Sequence, residues 1–178
     1  MDVLGVDPGL NVTGYAVLRA DGGRVCILDA GVCRTSPNKP LAARLAQIES
    51  DLAELLSQHS PALMAVEKLY AHYRHPRTAV MMGHARGVIL SVAGSHGIDV
   101  RGYSATQVKR FLTGNGRATK TQMQRAVMRE LGLRNVPEPA DVADALAVAL
   151  CCAHEAISKS GRIAVGDRSY GHRGAVVA

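Results

Sequence analysis

The sequence predicts an α/β fold in which a mixed five-stranded sheet is flanked by helices. Two observations indicate this class: three strand-like segments open the chain, and later strands alternate with helical segments. Consecutive strands joined by short turns pair antiparallel, whereas strands separated by helices can pair in parallel. A chain of 178 residues, of which 47% are hydrophobic, suits one domain with a buried core.

The first three predicted strands form an antiparallel meander. Residues 3–6 are a short apolar run that stops at Pro8-Gly9, as a buried strand does when it reaches a turn. Residues 13–19 alternate between apolar and polar, and they can return beside the first strand. The Asp-Gly-Gly sequence at 21–23 is a hairpin loop that leads into a third strand over 25–33.

The rest of the chain alternates helices with strands. Apolar residues recur at helical spacing after Pro40, which predicts an amphipathic helix over 40–59. The segments that follow are a strand over 63–66, a helix over 79–95, a strand over 100–103, and helices over 105–113, 119–131 and 139–156. The helix over 79–95 contains Gly83 and Gly87 one turn apart. Because each glycine costs a helix up to about 1 kcal/mol relative to alanine, the pair predicts a close backbone approach, either inside the protein or at a subunit interface.

Charge is concentrated in the middle of the chain. Residues 68–134 contain twelve Lys and Arg but only two acidic residues, whereas residues 1–67 contain five basic and eight acidic ones. Such a basic block favours a polyanionic partner. The chain has no apolar run of membrane-spanning length, no basic-then-apolar start typical of a secretory signal, and no CxxC pair. We therefore expect a soluble, cytoplasmic protein without a zinc site.

Four acidic residues stand where a solvated surface charge would be out of place. Asp7 and Glu67 each end an apolar strand, and Asp141 and Asp144 lie on one face at the start of an apolar helix. Helix capping explains one of the last two but not both. If the four converge, their mutual repulsion and desolvation require bound cations. Oxygen ligands select hard ions, so the pattern predicts Mg²⁺ or Mn²⁺, with two ions forming a phosphoryl-transfer site.

Several short motifs carry a resemblance to a known family. They are V-D-P-G-x-x-x-T-G-Y from residue 6, A-V-E-K-L-Y from 65, G-H-A-R-G from 83, Q-V-K-R from 107, T-K-T-Q-M from 119 and A-D-V-A-D-A-L-A-V-A-L from 140. In this order and spacing they resemble the bacterial Holliday-junction resolvase family of RuvC type. The resemblance covers residues 1–157 as one nuclease domain, and we expect residues 158–178 to be a basic, disordered tail.

The resemblance implies a ribonuclease-H-like fold, a homodimer, and Mg²⁺-dependent nicking of two opposed strands of a four-way DNA junction in recombination and repair. A branch-migration partner is also implied by the family alone. The family's metal-binding and catalytic carboxylates correspond to Asp7, Glu67, Asp141 and Asp144. Its basic residues near the scissile phosphate correspond to Lys109 and Lys120, and Lys120 is also expected to act in catalysis.

The loop after Glu67 is the expected contact with the junction centre. It carries two tyrosines and two arginines that we predict to bind DNA, namely Tyr70, Tyr73, Arg74 and Arg77. Cations bind phosphates, and an aromatic ring can stack on an unpaired base for about 1–3 kcal/mol. The loop has one residue more than the usual family spacing, so either Tyr70 or Tyr73 can occupy the position of the family's junction aromatic.

Three other functions share part of this pattern. An ATPase of sugar-kinase or actin type also begins with a strand and an aspartate-glycine phosphate loop, but it needs two such domains. A nuclease of related fold that processes ribosomal RNA precursors fits Asp7 and Glu67, although the basic block and Tyr70 favour branched DNA. A junction-binding protein without catalysis would need the basic block but not four converging carboxylates.

Overall fold

The computed structural model describes residues 1–69 and 76–166, with side chains in the second range described from Arg77 to Ser158. These residues form five strands and five helices. In chain order they are β1 (Asp2–Asp7), β2 (Val12–Asp21), β3 (Arg24–Arg34), α1 (Leu41–His59), β4 (Leu63–Glu67), α2 (Pro76–Ser95), β5 (Asp99–Tyr103), α3 (Ala105–Thr113), α4 (Lys120–Leu131) and α5 (Ala140–Gly166). Each of the ten predicted elements is present.

The five strands form one mixed sheet in the order β3-β2-β1-β4-β5. The strands β1, β2 and β3 pair antiparallel as the predicted meander. Strands β4 and β5 follow helices and extend the sheet in parallel from β1. This arrangement confirms the predicted fold class, and it places the carboxyl ends of β1, β4 and β5 at the same edge.

The helices cover the two faces of the sheet. Side chains of β1 alternate between the faces, so Leu4 and Val6 pack with α1 and α2, whereas Val3 packs with α3, α4 and α5. In β4 the same alternation sends Met64 and Val66 to the first face and Leu63 and Ala65 to the second. The apolar helix α5 lies on the second face, where it is buried along residues 145–153.

Glycines in the sheet allow α5 to lie directly on β1 and β2. A Cβ added at Gly5 would lie 2.6 Å from Ala149 Cβ and 2.8 Å from Ala149 N, and it would also meet Ala145 O. A Cβ added at Gly14 would meet the backbone of Asp141 and lie 3.1 Å from its Cβ. Larger residues at either position would therefore force the helix away from the sheet.

The glycines of α2 have a different setting. A Cβ added at Gly87 would meet nothing within 4 Å, and one at Gly83 would reach only Leu69 Cδ1 at 3.9 Å. The internal close approach that we considered for this pair is therefore wrong within the described residues. An interface between subunits stays a prediction for this exposed side of α2.

Element ends differ from prediction mainly in α5. This helix ends at Gly166 rather than at 156, so the predicted end was wrong. Ser160 and Gly161 are poor helix formers and interrupt the sequence pattern, but propensity is a weak determinant beside an already formed helix. The domain boundary at 157 and the tail stay predictions, and residues 167–178 lie outside the described range. Among the helices of residues 1–69 and 76–166, none has the length and apolarity needed to cross a membrane.

Candidate active site

Asp7 and Glu67 lie side by side at the carboxyl edge of the sheet. Strands β1 and β4 are parallel neighbours whose last paired residues are Val6 and Val66, so the next residue on each strand is a carboxylate. Because side chains alternate along a strand, both carboxylates belong to the face that α5 covers. Both side chains are half-buried. Sheet register therefore brings together two residues that are sixty positions apart in the sequence.

Helix α5 brings the other two carboxylates to the same edge. Asp141 lies in its first turn, and its backbone is held against β2 at Gly14. Asp144 follows three residues later, almost one turn along, and it is exposed to solvent beside the strand ends. The close packing of α5 on the two glycines is thus what places this pair beside Asp7.

A cavity of about 270 Å³ opens next to these carboxylates. Its charged lining comes from Glu67 and Asp144 together with Lys109 of α3 and Lys120 at the start of α4. Its floor is apolar and is formed by α3, α4 and α5. Side-chain capping boxes fix the starts of α3 and α4 at Ser104 and Thr119. The helices that carry the two lysines therefore begin at defined positions beside the cavity.

The carboxylates interact electrostatically with one another. Burial, followed by the negative charges of the other three carboxylates, raises the pKa of Asp7 from 3.8 to about 8. Burial and the charge of Asp144 raise the pKa of Glu67 above its ordinary value. Partial burial of its carboxyl group also raises the pKa of Asp144, although the residue as a whole is exposed. Full ionisation of the cluster is therefore unfavourable without a cation, as is typical of carboxylates that bind metals.

The two lysines act in the opposite direction. Lys109 lowers the pKa of both Glu67 and Asp144, and Lys120 lowers that of Asp144. Neither effect outweighs burial. The site thus combines carboxylates with ammonium groups that are close enough to interact with them. Such an arrangement can bind a phosphate between the lysines and cations held by the carboxylates.

The donor set fits hard divalent cations, since four carboxylates supply oxygen ligands. Within residues 1–69 and 76–166, however, no three His, Cys, Asp or Glu side chains converge tightly enough to form a complete ligand set. Like-charged carboxylates separate unless a cation draws them together. The chemistry of the side chains therefore fits the predicted metals, although the four carboxylates do not form a compact ligand group.

The remaining predicted site residues lie in or beyond the loop after Glu67. Tyr70, Tyr73 and Arg74 lie outside the described residues. Arg77 is exposed near the start of α2 and lines a different cavity, of about 340 Å³, together with Arg44. The structure therefore does not bring Arg77 into the cavity beside the carboxylates.

Sequence reasoning missed two residues at this site. Arg86 of α2 donates a hydrogen bond from Nε to the backbone oxygen of Glu67 at 3.3 Å, and this contact ties α2 to the end of β4. Gln124 lines the cavity beside Lys120. The second had a signal in the sequence, because it follows Lys120 by four residues and so shares its helix face. The contact of Arg86 needed the three-dimensional packing.

The raised pKa of Asp7 predicts how the stability of the metal-free protein depends on pH. Between pH 4 and 8 the folded chain retains a proton that the unfolded chain has lost, so the free energy of unfolding should fall as pH rises through this window. We expect a loss of about 2 kcal/mol, allowing for solvent screening at a half-buried carboxyl. Chemical unfolding in EDTA at several pH values measures this loss of unfolding free energy. Asp7→Asn should remove most of the slope, and an equal slope in the variant would contradict the assignment.

Comparison with known proteins identifies the family of this chain. Residues 3–152 match the family model for "Crossover junction endodeoxyribonuclease RuvC". A curated RuvC protein from Rhodopirellula baltica is 52% identical over 149 residues, which cover 84% of each chain. One from Pelotomaculum thermopropionicum is 44% identical over 154 residues, covering 86% of this chain and 93% of that one.

Solved structures give the same relationship. Thermus thermophilus RuvC, determined in complex with a Holliday junction substrate, matches with a TM-score of 0.82 and 35% identity over 90% of this chain and 96% of that one. The yeast mitochondrial Holliday junction resolvase Ydc2 matches with a TM-score of 0.63 at 13% identity, over 83% and 75% of the two chains, and so shares the fold. These matches confirm the expected ribonuclease-H-like class. Because the family model matches most of the sequence and the curated and solved RuvC proteins match over most of its length, the chain belongs to the RuvC family of crossover junction endodeoxyribonucleases.

Proposed function

We propose that this protein is a structure-selective endonuclease that resolves four-way DNA junctions by paired symmetric nicks during recombination and repair. The observation that carries the proposal is the set of carboxylates at one sheet edge, bordered by Lys109 and Lys120. Membership of the RuvC family supports the same substrate. Asp7, Glu67, Asp141 and Asp144 are the residues we assign to metal binding and catalysis.

The proposed cofactor is Mg²⁺, two ions at each active site, with Mn²⁺ as an alternative. Carboxylate oxygens are the ligands that both ions prefer. The chemistry that such ions supply when bound is neutralisation of the phosphate and activation of a water for attack. Burial of Asp7 and Glu67 supports this assignment, because it makes their uncompensated charge unfavourable.

The side chains of this protein have separate roles in the proposed reaction. Asp7 and Glu67 are held by the sheet, and Asp141 and Asp144 are held by α5, so the two pairs can approach a cation from different elements. Lys109 and Lys120 bind the scissile phosphate by charge. Lys120 also offsets the negative charge that develops on the phosphate in the transition state.

A homodimer would supply the two active sites that symmetric nicking of a junction requires. The exposed side of α2 at Gly83 and Gly87 is our candidate for the subunit contact, because added methyl groups there would meet almost nothing within the described chain. Light scattering at micromolar concentration tests this, and a monomer that nicks symmetrically would contradict it. A branch-migration partner and a cytoplasmic location also stay predictions.

The function is tested by offering three labelled substrates: a synthetic four-way junction, a linear duplex of the same sequence, and a structured RNA. We expect Mg²⁺-dependent paired nicks in the junction, with 5′-phosphate and 3′-hydroxyl ends, and little cutting of the duplex. Preferred cutting of RNA would favour the RNA-processing alternative. Junction binding without cleavage in either Mg²⁺ or Mn²⁺ would favour the non-catalytic alternative, and full activity in excess EDTA would refute the metal assignment.

The loop after Glu67 gives a prediction about structure selectivity. A tyrosine ring that enters the junction centre can stack where base stacking is already interrupted, at little cost. Tyr70→Ala should then lower junction cleavage by about tenfold or more, corresponding to about 1.4 kcal/mol, whereas Tyr70→Phe should be nearly neutral because it keeps the ring. If Tyr73→Ala is damaging and Tyr70→Ala is silent, Tyr73 is the stacking residue instead.

A further inference from the structure

Gln124 is an unexplained polar residue in the cavity beside the carboxylates. Apart from two lysines and two carboxylates, the side chains that line this cavity in the described part of the chain are apolar, with Gln124 as the exception. It is half-buried on α4. A neutral amide in this position has no evident role in charge balance.

The amide of Gln124 makes no hydrogen bond within the described residues, and neighbouring glutamines show that this is unusual. Gln122 closes the capping box of α4, where its Oε1 accepts from Thr119 N at 2.8 Å. Gln107 does the same for α3, accepting from Ser104 N at 2.8 Å. Helix capping therefore explains the positions of these two glutamines, whereas Gln124 has no such structural role. Its donor and acceptor groups remain available to a ligand in the cavity.

The position of Gln124 relates it to the scissile phosphate. It lies four residues after Lys120, so the two side chains share one face of α4, and both line the cavity. Lys120 is close enough to Asp144 to lower the pKa of that carboxyl. If Lys120 binds the scissile phosphate of a DNA strand, the nucleotide next to that phosphate would therefore lie against Gln124.

The chemistry of an amide distinguishes between the parts of a nucleotide. Phosphate oxygens only accept hydrogen bonds, and the lysines beside them already satisfy that need. A deoxyribose within a DNA chain offers no hydroxyl. The edge of a base offers donors and acceptors together, which matches an amide. The apolar floor formed by residues such as Val127 and Val148 suits the face of a base.

We propose that Gln124 hydrogen-bonds the edge of a base next to the scissile phosphate and so determines cleavage-sequence preference. This inference rests on the proposed function, and it adds a specificity-determining residue to that site. A bidentate amide contact discriminates between bases, because a wrong base leaves the buried donor or acceptor unpaired. Gln124 is thus a substrate-contacting residue and not a metal ligand.

The experiment compares cleavage rates on immobile four-way junctions that differ only in the base pairs flanking the nick, with all four bases tested on each side. Three proteins are compared: wild type, Gln124→Leu, which keeps the size but removes both hydrogen-bonding groups, and Gln124→Glu, which removes the donor. The matched control is Gln47→Leu. Gln47 is exposed on α1, on the other face of the sheet, and bonds to Asp51.

For Gln124→Leu we expect the ratio of rates between the best and the worst junction to fall by about tenfold, chiefly through slower cutting of the best one. Gln124→Glu should change which base is preferred, and Gln47→Leu should leave the ratio as in wild type. Affinity for uncut junction in EDTA should be unchanged in Gln47→Leu, and the thermal unfolding midpoint should be unchanged in all variants.

Two results would overturn the inference while leaving the proposed function intact. One is a uniform loss of rate on every junction, which would indicate a role in shaping α4. The other is an unchanged preference in both Gln124 variants. If wild-type protein cuts no junction at all, the proposed function fails, and the inference fails with it.

Discussion

Asp7→Asn is expected to lower junction cleavage by about a hundredfold or more, equivalent to about 3 kcal/mol of transition-state stabilisation. The substitution keeps the shape of the side chain and removes one charged oxygen ligand from the centre of the cluster. Asp7 interacts electrostatically with all three of the other carboxylates, so its loss should affect the whole cluster. Single-turnover cleavage of a labelled four-way junction in Mg²⁺ measures the effect.

Junction binding by the same variant should be unchanged or tighter. In the absence of metal the carboxylates repel the phosphate, and removing one negative charge reduces that repulsion. Asp2→Asn is the matched control, since Asp2 lies at the opposite end of β1 and pairs with Arg19 at 2.8 Å. Arg19 binds both carboxylate oxygens of Asp2, so the control can lose some stability, but it should cut normally at a temperature where it is folded. Near wild-type cleavage by Asp7→Asn would mean that Asp7 merely ends a strand.

The candidate site was predictable from sequence to the extent that local patterns and one topological rule define it. Apolar runs ending in Asp7 and Glu67 identified two strand ends, and strands separated by helices can pair in parallel. Parallel neighbours present their carboxyl ends at one edge, but no sequence pattern indicated that β4 pairs with β1 rather than with β3. The sheet order of the structure is what makes Asp7 and Glu67 adjacent. The spacing of Asp141 and Asp144 gave their common helix face.

Features that depend on contacts between distant segments were not predictable in the same way. The hydrogen bond from Arg86 to the backbone of Glu67 joins α2 to the end of β4. The motif G-H-A-R-G contains Arg86, but nothing in it indicates this contact. Gly5 and Gly14 looked like ordinary strand residues, although they permit α5 to approach the sheet. Conversely, Gly83 and Gly87 suggested an internal approach that the described residues do not contain. Periodicity identifies the buried side of an element but not its partner.

Gly14→Ala is expected to reduce both stability and cleavage, through the contact between β2 and α5. The added methyl group would meet the backbone of Asp141 and come within 3.1 Å of its Cβ. Neither β2, an interior strand of the sheet, nor α5 can move away from the clash as a flexible side chain could. Overpacking of this kind costs about 1–3 kcal/mol of unfolding free energy, which denaturant unfolding measures directly.

The effect on cleavage should exceed what the loss of stability explains. Moving the start of α5 displaces Asp141 and Asp144 from Asp7, so we expect cleavage to fall by about tenfold at a temperature where circular dichroism shows the variant fully folded. Raising Mg²⁺ should restore part of the rate by drawing the carboxylates together.

Gly94→Ala is the control, because a Cβ at this exposed position in α2 would meet nothing within 4 Å. It should stabilise the helix by up to about 1 kcal/mol and leave cleavage unchanged. If Gly14→Ala is as stable and as active as Gly94→Ala, the close packing of α5 on β2 does not position the carboxylates.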